Sequence, residues 1–102
     1  MSLGADLADA IAADARLIIL RELALQVDAR LNEIILERVL DTYGVKRSRD
    51  WLRTQLNKLA ELGAVTLSAA GDIQIAALTT AGRNHVDRRE VIAGIARPPD
   101  AR

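Results

Sequence analysis

Apolar residues recur every three or four positions in four segments of the chain, which is the repeat of an amphipathic helix. These segments cover residues 5–26, 33–43, 48–62 and 80–92. The first repeat is offset near its middle, which predicts either one bent helix or two short ones. Its apolar run at residues 17–20 has no polar side, so we expect burial against more than one neighbour.

Capping residues mark where the later helices begin and end. Asn32, Ser48 and Thr79 each precede a helical repeat and can accept a hydrogen bond from an N–H of the first turn. Gly44 and Gly63 suit the left-handed conformation that follows a helix C-terminus. The second and third helices are therefore predicted to be joined by a tight turn.

Two short segments after the third helix alternate apolar and polar residues, as a half-buried strand does. They are Ala64–Ser68 and Ile73–Ala76, and residues 70–72 supply the turn of a hairpin. Four aliphatic side chains are expected to share its inner face: Val65, Leu67, Ile73 and Ile75.

The composition limits the class of protein. The chain has 102 residues, of which half are hydrophobic, and it has no Cys. This length suits one domain, and the absence of Cys excludes disulfides and thiolate metal sites. No apolar run approaches the roughly 20 residues that span a bilayer. Asp6, Asp9 and Asp14 stand where a signal peptide would be basic, so we expect a cytoplasmic protein with no membrane partner.

The net charge is zero, but it is unevenly distributed. Residues 1–45 carry four Arg against eight acidic residues, whereas residues 46–58 carry five basic residues against Asp50. Residues 83–102 carry five Arg against three acidic residues. Basic charge is thus concentrated at the start of the third helix, which favours an anion-binding face there. The alternative interpretation is an ordinary solvated helix face.

Three segments resemble winged helix-turn-helix regulators and occur in the expected order. Residues 14–23, DARLIILREL, resemble the first-helix signature of ArsR-type repressors, in which an Arg precedes an Ile-Leu pair. Residues 52–65, LRTQLNKLAELGAV, are similar to the recognition helix and the start of the wing in ArsR- and MarR-type proteins. Residues 78–82, LTTAG, resemble the motif that follows the wing in MarR- and PadR-type proteins. The small size and the Arg-Pro-Pro at residues 97–99 also resemble small winged-helix proteins of Mu-like prophages.

The resemblance implies one winged helix-turn-helix domain at residues 1–95 and a loose C-terminal tail at residues 96–102. The fold class is then mainly α with a small β-hairpin (α+β): a three-helix core, a two-stranded wing and a C-terminal helix. The implied function is sequence-specific binding of double-stranded DNA and transcriptional regulation by a homodimer. The recognition helix would lie at about residues 48–62.

The third helix carries the side chains that this function requires. Arg can donate two hydrogen bonds to guanine and Asn can pair with adenine, whereas further basic residues contact phosphate. The candidates near base edges are Ser48, Arg49, Arg53, Thr54 and Asn57. The candidates for phosphate are Lys46, Arg47 and Lys58. The wing turn has no Lys or Arg, so we expect it to contact DNA weakly or not at all.

An enzyme is the least favoured class, because the chain has no Cys nucleophile, no glycine-rich phosphate loop and no cluster of carboxylates with histidine. No catalytic residue, metal ligand or cofactor is predicted, and no small-molecule effector is identified. The main alternative is a winged-helix module for protein–protein interaction or assembly, for example a phage-derived one, without DNA binding. A continuous basic patch around Arg49 and Arg53 would favour DNA. Neutralisation of that pair by Asp50, Asp87 or Glu90 would favour the alternative.

Three single residues have two interpretations each. Trp51 can stack on a sugar or base, but large aromatic side chains usually bury, so we expect it to pack between helices. Tyr43 can donate a hydrogen bond to a phosphate, but we expect it to contact the core at a helix end. His85 is the only His and a potential ligand or pH switch, but we expect it on the surface of the last helix.

Overall fold

The computed structural model describes residues 3–99 of the chain. Its elements are α1 (Leu3–Leu25), β1 (Arg30–Asn32), α2 (Glu33–Thr42), α3 (Arg49–Glu61), β2 (Val65–Ala70), β3 (Ile73–Leu78) and α4 (Thr80–Val86). The strands form one antiparallel sheet in the order β1-β3-β2. The fold class is confirmed: α2, a turn and α3 precede the β2–β3 hairpin of a winged helix-turn-helix. The sequence did not predict β1, because three residues are too few to show an alternating pattern.

The predicted helix starts are confirmed by their hydrogen bonds. The Asn32 side chain accepts a bond from an N–H of α2, Ser48 accepts one from α3, and Thr79 accepts one from α4. Gly44 follows α2 with a φ of 82° and Gly63 follows α3 with a φ of 79°, as the left-handed position after a helix requires. The offset in the first repeat does not break α1, which is one continuous helix.

Helix α4 is shorter than predicted, since it ends at Val86 rather than at about Ile92. Arg88 has a φ of 64°, and its N–H donates to the carbonyl of His85. This left-handed residue turns the chain back towards the helix. The N–H of Ile92 then donates to Nδ1 of His85, and Nε2 of His85 lies 2.9 Å from the carbonyl oxygen of Ala96.

The expectation that His85 lies on the surface is therefore wrong: the side chain is fully buried. Because Nδ1 accepts a hydrogen bond, Nε2 carries the proton and donates to Ala96. The ring thus holds the chain that follows α4, and the N–H of Ala96 also donates to Ala13 in α1. The tail predicted at residues 96–102 extends beyond the described residues, and the limits of domain and tail stay a prediction.

The β2–β3 hairpin corrects the predicted inner face. Its turn contains only residues 71–72, so Ala70 pairs with Ile73. The predicted turn at residues 70–72 is one residue longer, and a shift of one residue moves every side chain of a strand to the other face. Ile73 and Ile75 consequently lie on the outer face. The inner face is shared by Val65, Leu67, Ala76 and Leu78.

The hydrophobic core lies between α1, α2, α3 and the inner face of the sheet. Its largest fully buried aliphatic side chains come from the three helices: Ile19, Leu20, Leu23, Leu36, Leu52, Leu56 and Leu59. Each such side chain contributes about 1.5–3 kcal/mol by leaving water. The apolar run at residues 17–20 belongs to this core or packs against it, which explains its lack of a polar side.

Candidate nucleic-acid interface

Helix α3 is held so that one of its faces points outward. Its Leu52, Leu56 and Leu59 are buried in the core, and this spacing leaves the opposite side of the helix to solvent. Gln55 is also buried, and its Oε1 accepts a hydrogen bond from Nε of Arg16 at 3.0 Å. This hydrogen bond links Arg16 of α1 to α3.

Six of the eight predicted DNA-binding residues are exposed: Lys46, Arg47, Ser48, Thr54, Asn57 and Lys58. Several of them have structural partners as well. The Ser48 hydroxyl is the N-cap of α3, and the Thr54 hydroxyl donates to the carbonyl of Asp50. The Arg47 guanidinium lies 5.6 Å from the centre of the Trp51 ring. Exposed basic side chains thus lie at the start of α3 and on its outward face.

Arg53 is bound to a buried carboxylate. Its Nε and Nη2 donate to the two oxygens of Glu33 at 2.7 and 2.8 Å. Glu33 is fully buried at the start of α2 and also accepts the backbone N–H of Gln74 in β3 at 2.7 Å. Nη2 of Arg53 donates to the carbonyl of Asp72 at the wing turn. This network joins α2, α3 and the wing, and Arg53 is a structural residue within it.

Arg49 forms a second, more open ion pair one turn earlier in α3. Its Nε and Nη2 donate to the two carboxylate oxygens of Glu37 at 3.3 and 3.1 Å. The side chains of Arg49 and Glu37 are 36% and 31% exposed, whereas that of Glu33 is 0% exposed. The two arginines that sequence analysis placed at base edges are both neutralised, although by Glu37 and Glu33 rather than by Asp50, Asp87 or Glu90.

The ion pairs shift the protonation equilibria of three side chains in the expected directions. The hydrogen bonds from Arg53 hold the pKa of Glu33 below its usual value, with a smaller contribution from the N–H of Gln74, while burial acts in the opposite direction. The hydrogen bond from Glu33 raises the pKa of Arg53. The hydrogen bond from Glu37 likewise raises the pKa of Arg49. These directions favour the charged forms of Glu33, Arg49 and Arg53.

Glu33 and Glu37 were not among the residues predicted from the sequence to belong to this site. A signal was present, because Glu33 and Glu37 are four residues apart in α2 and Arg49 and Arg53 are four residues apart in α3. Residues four apart lie on the same face of a helix, so matched spacings allow two ion pairs to form once those faces meet.

The two aromatic residues near α3 differ in burial. Trp51 is partly buried and packs against the core, which agrees with the expectation that it packs between helices. Tyr43, expected to contact the core, is 60% exposed instead. It is the C-cap residue of α2 and lines a surface groove with Arg21 and Leu25 of α1 and Arg83 of α4.

Between residues 3 and 99, no helix is long and apolar enough to cross a membrane. In the same range, no group of three or more His, Cys, Asp or Glu side chains is arranged to hold a metal ion.

Comparisons with known proteins agree with the fold. The complex structure of hsRosR-S4 superposes with a TM-score of 0.63 at 23% sequence identity, covering 80% of this chain and 73% of that one. This likeness supports the winged-helix fold. No protein-family model matches the chain. The uncharacterized protein gp26 of Escherichia phage Mu is 38% identical over 90 residues, which are 88% of this chain and 93% of the phage protein. This winged-helix chain therefore belongs to the family of phage Mu gp26.

Proposed function

We propose that this protein binds double-stranded DNA through α3 and regulates transcription. The observation that carries the proposal is the outward face of α3 within a winged-helix fold. A helix of this kind fits the major groove, with its N-terminal part nearest the base edges. Thr54 and Asn57 on this face are exposed hydrogen-bonding side chains, and exposed Lys46, Arg47 and Lys58 flank them.

The proposed contacts divide into two kinds. Lys46, Arg47 and Lys58 neutralise phosphates and supply affinity that depends on salt. Asn57 and Thr54 reach base edges, where an Asn can pair with adenine. Ser48 presents its backbone and hydroxyl at the helix N-terminus, which also suits a phosphate. Arg49 and Arg53 are engaged by carboxylates and are not part of this first set of contacts.

A second candidate function is protein–protein interaction or assembly without DNA binding. The neutralisation of Arg49 and Arg53 favours it, since two of the five basic residues at positions 46–58 lose their effective charge. Asp50 and Glu61 on α3 are exposed as well and reduce the positive potential further.

Replacing Lys46 and Lys58 together by alanine tests the proposed DNA contacts. If each lysine neutralises one phosphate, the variant should bind duplex DNA more weakly, and the slope of log K against log salt should decrease in magnitude by about 2. The measurement is fluorescence anisotropy of a labelled duplex at about 50–200 mM salt. Arg47 is left in place because it stacks on Trp51.

The matched control is Arg30→Ala/Arg97→Ala, which removes the same charge from exposed positions outside α3. It should leave the salt slope close to that of the wild type. Equal losses for both double variants would mean that binding follows net charge rather than the face of α3. Failure of the wild-type protein to bind any duplex at the lowest salt would reject DNA binding and favour the assembly function.

We further propose that the protein acts as a homodimer whose α1 helices pair antiparallel. Residues 3–10 of α1 are all exposed, and they include Leu3 at 83% and Leu7 at 59% exposure. Leu25 at the other end of the helix is 76% exposed. With 23 residues, α1 is about 34 Å long, so antiparallel pairing brings each apolar end against the opposite end of its partner.

The charges of α1 support the antiparallel direction. The exposed N-terminal part carries Asp6 and Asp9, whereas Arg21 lies near the C-terminus beside Arg83 of α4. Antiparallel copies place these acidic and basic groups together, while parallel copies would place like charges together. Such a two-fold pairing is the usual symmetry of a dimer that reads a two-fold DNA site.

Leu7→Lys should dissociate this dimer, because it places a positive charge in the apolar contact, against the basic C-terminal end of the partner's α1. Sedimentation or light scattering over a range of protein concentrations measures the effect. Ala5→Lys adds the same charge about half a turn away on α1 and should leave the dimer intact. A wild-type protein that stays monomeric at every concentration would exclude the dimer.

A further inference from the structure

The two ion pairs between α2 and α3 differ in how easily the arginine can leave its carboxylate for another partner. Glu33 is fully buried and accepts hydrogen bonds from Arg53 and from the backbone of Gln74, at distances of 2.7–2.8 Å. Releasing Arg53 would leave a carboxylate without its counter-charge inside the protein, which is costly. Arg53 is therefore fixed in place.

The Arg49–Glu37 pair lacks these constraints. Its hydrogen bonds are longer, at 3.1 and 3.3 Å, and both side chains are about one-third exposed. A partly exposed ion pair adds little net stability, because water solvates the separated charges well. Separation of Arg49 from Glu37 leaves both groups within reach of solvent.

Arg49 also occupies the position where a recognition helix reads bases. It is the first residue of α3, directly after the N-cap Ser48, and N-terminal residues of such a helix reach base edges. A bidentate contact between Arg and guanine is among the strongest contributions to base discrimination. The guanine edge offers two acceptors to the same guanidinium face that now binds the two oxygens of Glu37.

We propose that Arg49 contacts a guanine when the protein binds DNA and that Glu37 pairs with Arg49 when the protein is free. DNA binding thus exchanges the carboxylate for the base. The proposal rests on the DNA-binding function proposed above and adds a residue that limits its affinity. In the free protein Glu37 occupies the guanidinium of Arg49. In the complex Arg49 leaves for the major groove, and Glu37 remains as a negative charge close to the DNA.

Glu37→Gln tests this exchange, because it removes the competing charge and keeps the size of the side chain. The variant should bind duplex DNA about fivefold more tightly than the wild type, since the arginine no longer has to leave an ion pair. The measurement is anisotropy titration of the full chain with the same labelled duplex. Its thermal unfolding should match that of the wild type, as expected for a partly exposed position.

Three further variants separate the exchange from a general effect of charge. Asp41→Asn removes one negative charge from an exposed position one turn further along α2 and should change the affinity much less. Glu37→Gln/Arg49→Ala should bind no more tightly than Arg49→Ala alone, because the side chain that Glu37 restrains is missing. The cycle formed by the wild type, the two single variants and the double variant measures the coupling between Glu37 and Arg49.

The possible outcomes distinguish this inference from the function on which it rests. If the wild type binds DNA but Glu37→Gln gains no more than Asp41→Asn, the exchange is refuted and DNA binding stands. A gain that persists without Arg49 refutes the exchange too, since it would come from charge alone. If neither the wild type nor Glu37→Gln binds any duplex, both the exchange and the proposed function are refuted.

Discussion

Glu33→Ala is expected to lower the free energy of unfolding by about 3 kcal/mol, at the lower end of the cost of breaking a buried ion pair. The substitution leaves the N–H of Gln74 without its acceptor and removes the partner of Arg53. The cost stays at this lower end because the Arg53 side chain is 37% exposed and can turn towards water. Chemical denaturation of the two proteins measures the difference.

Glu37→Ala is the matched control, since it removes a carboxylate from the same helix one turn away. Its ion pair is about one-third exposed, so the expected loss is much smaller. If both variants lost the same stability, the Glu33–Arg53 network would not hold α2, α3 and the wing together. The control also measures how much stability depends on Glu37, which is the position substituted to test the exchange at Arg49.

The contribution of Glu33 should also depend on pH. Its pKa is lowered in the folded protein, chiefly by the hydrogen bonds from Arg53. A carboxyl with a lowered folded-state pKa stabilises the fold fully above its unfolded value of about 4.3 and loses that contribution as pH falls through the folded value. The stability difference between wild type and Glu33→Gln should therefore be constant near neutral pH and shrink below about pH 4. A difference that grows on acidification would contradict the assigned direction.

Gly82→Ala is expected to cost about 2–3 kcal/mol, the range of an overpacked core position. A Cβ at Gly82 would overlap the carbonyl oxygen of Ala64 and lie 2.7 Å from Cδ1 of Leu78. Backbone atoms cannot move aside as the end of a flexible side chain can. The clash should outweigh the gain of about 1 kcal/mol that Gly→Ala brings inside an ordinary helix. Thermal or chemical unfolding measures the loss.

Thr80→Ala serves as the control in the same helix, because Thr80 is exposed and its replacement should change stability little. A Gly82→Ala protein as stable as the wild type would show that α4 can shift away from Ala64. The close approach explains the LTTAG segment at residues 78–82. Its second residue, Thr79, caps α4 and donates to the carbonyl of Gly63 at 2.6 Å. Its glycine, Gly82, lets α4 pack closely on Ala64.

The local features of this fold were predictable from the sequence. An N-cap such as Ser48 accepts a hydrogen bond from the N–H three residues later. A glycine such as Gly63 ends a helix because it can adopt a positive φ. The apolar repeat of α3 determines which side of that helix is buried. Such interactions connect residues within a few positions, so the sequence contains both partners in one short segment.

Features that depend on chain reversal were harder to predict. The inner face of β3 depends on whether the turn has two or three residues, and Ala-rich strand ends do not distinguish these lengths. The burial of His85 depends on the left-handed turn at Arg88, which returns residues 92–96 to the ring. Neither a repeat of apolar residues nor a sequence motif indicates that the chain folds back in this way.

The sequence by itself determined the order of the four helices and the β2–β3 hairpin, the helix limits around the turn, and the concentration of basic residues at residues 46–58. Only the tertiary structure decided what those basic residues do. Arg53 meets Glu33 across 20 positions and Arg49 meets Glu37 across 12, and these encounters exist only once α2 packs on α3. Charges on packed helices are neutralised by neighbours that are distant in the chain. Which positive side chains of a basic segment are paired is therefore decided only by folding.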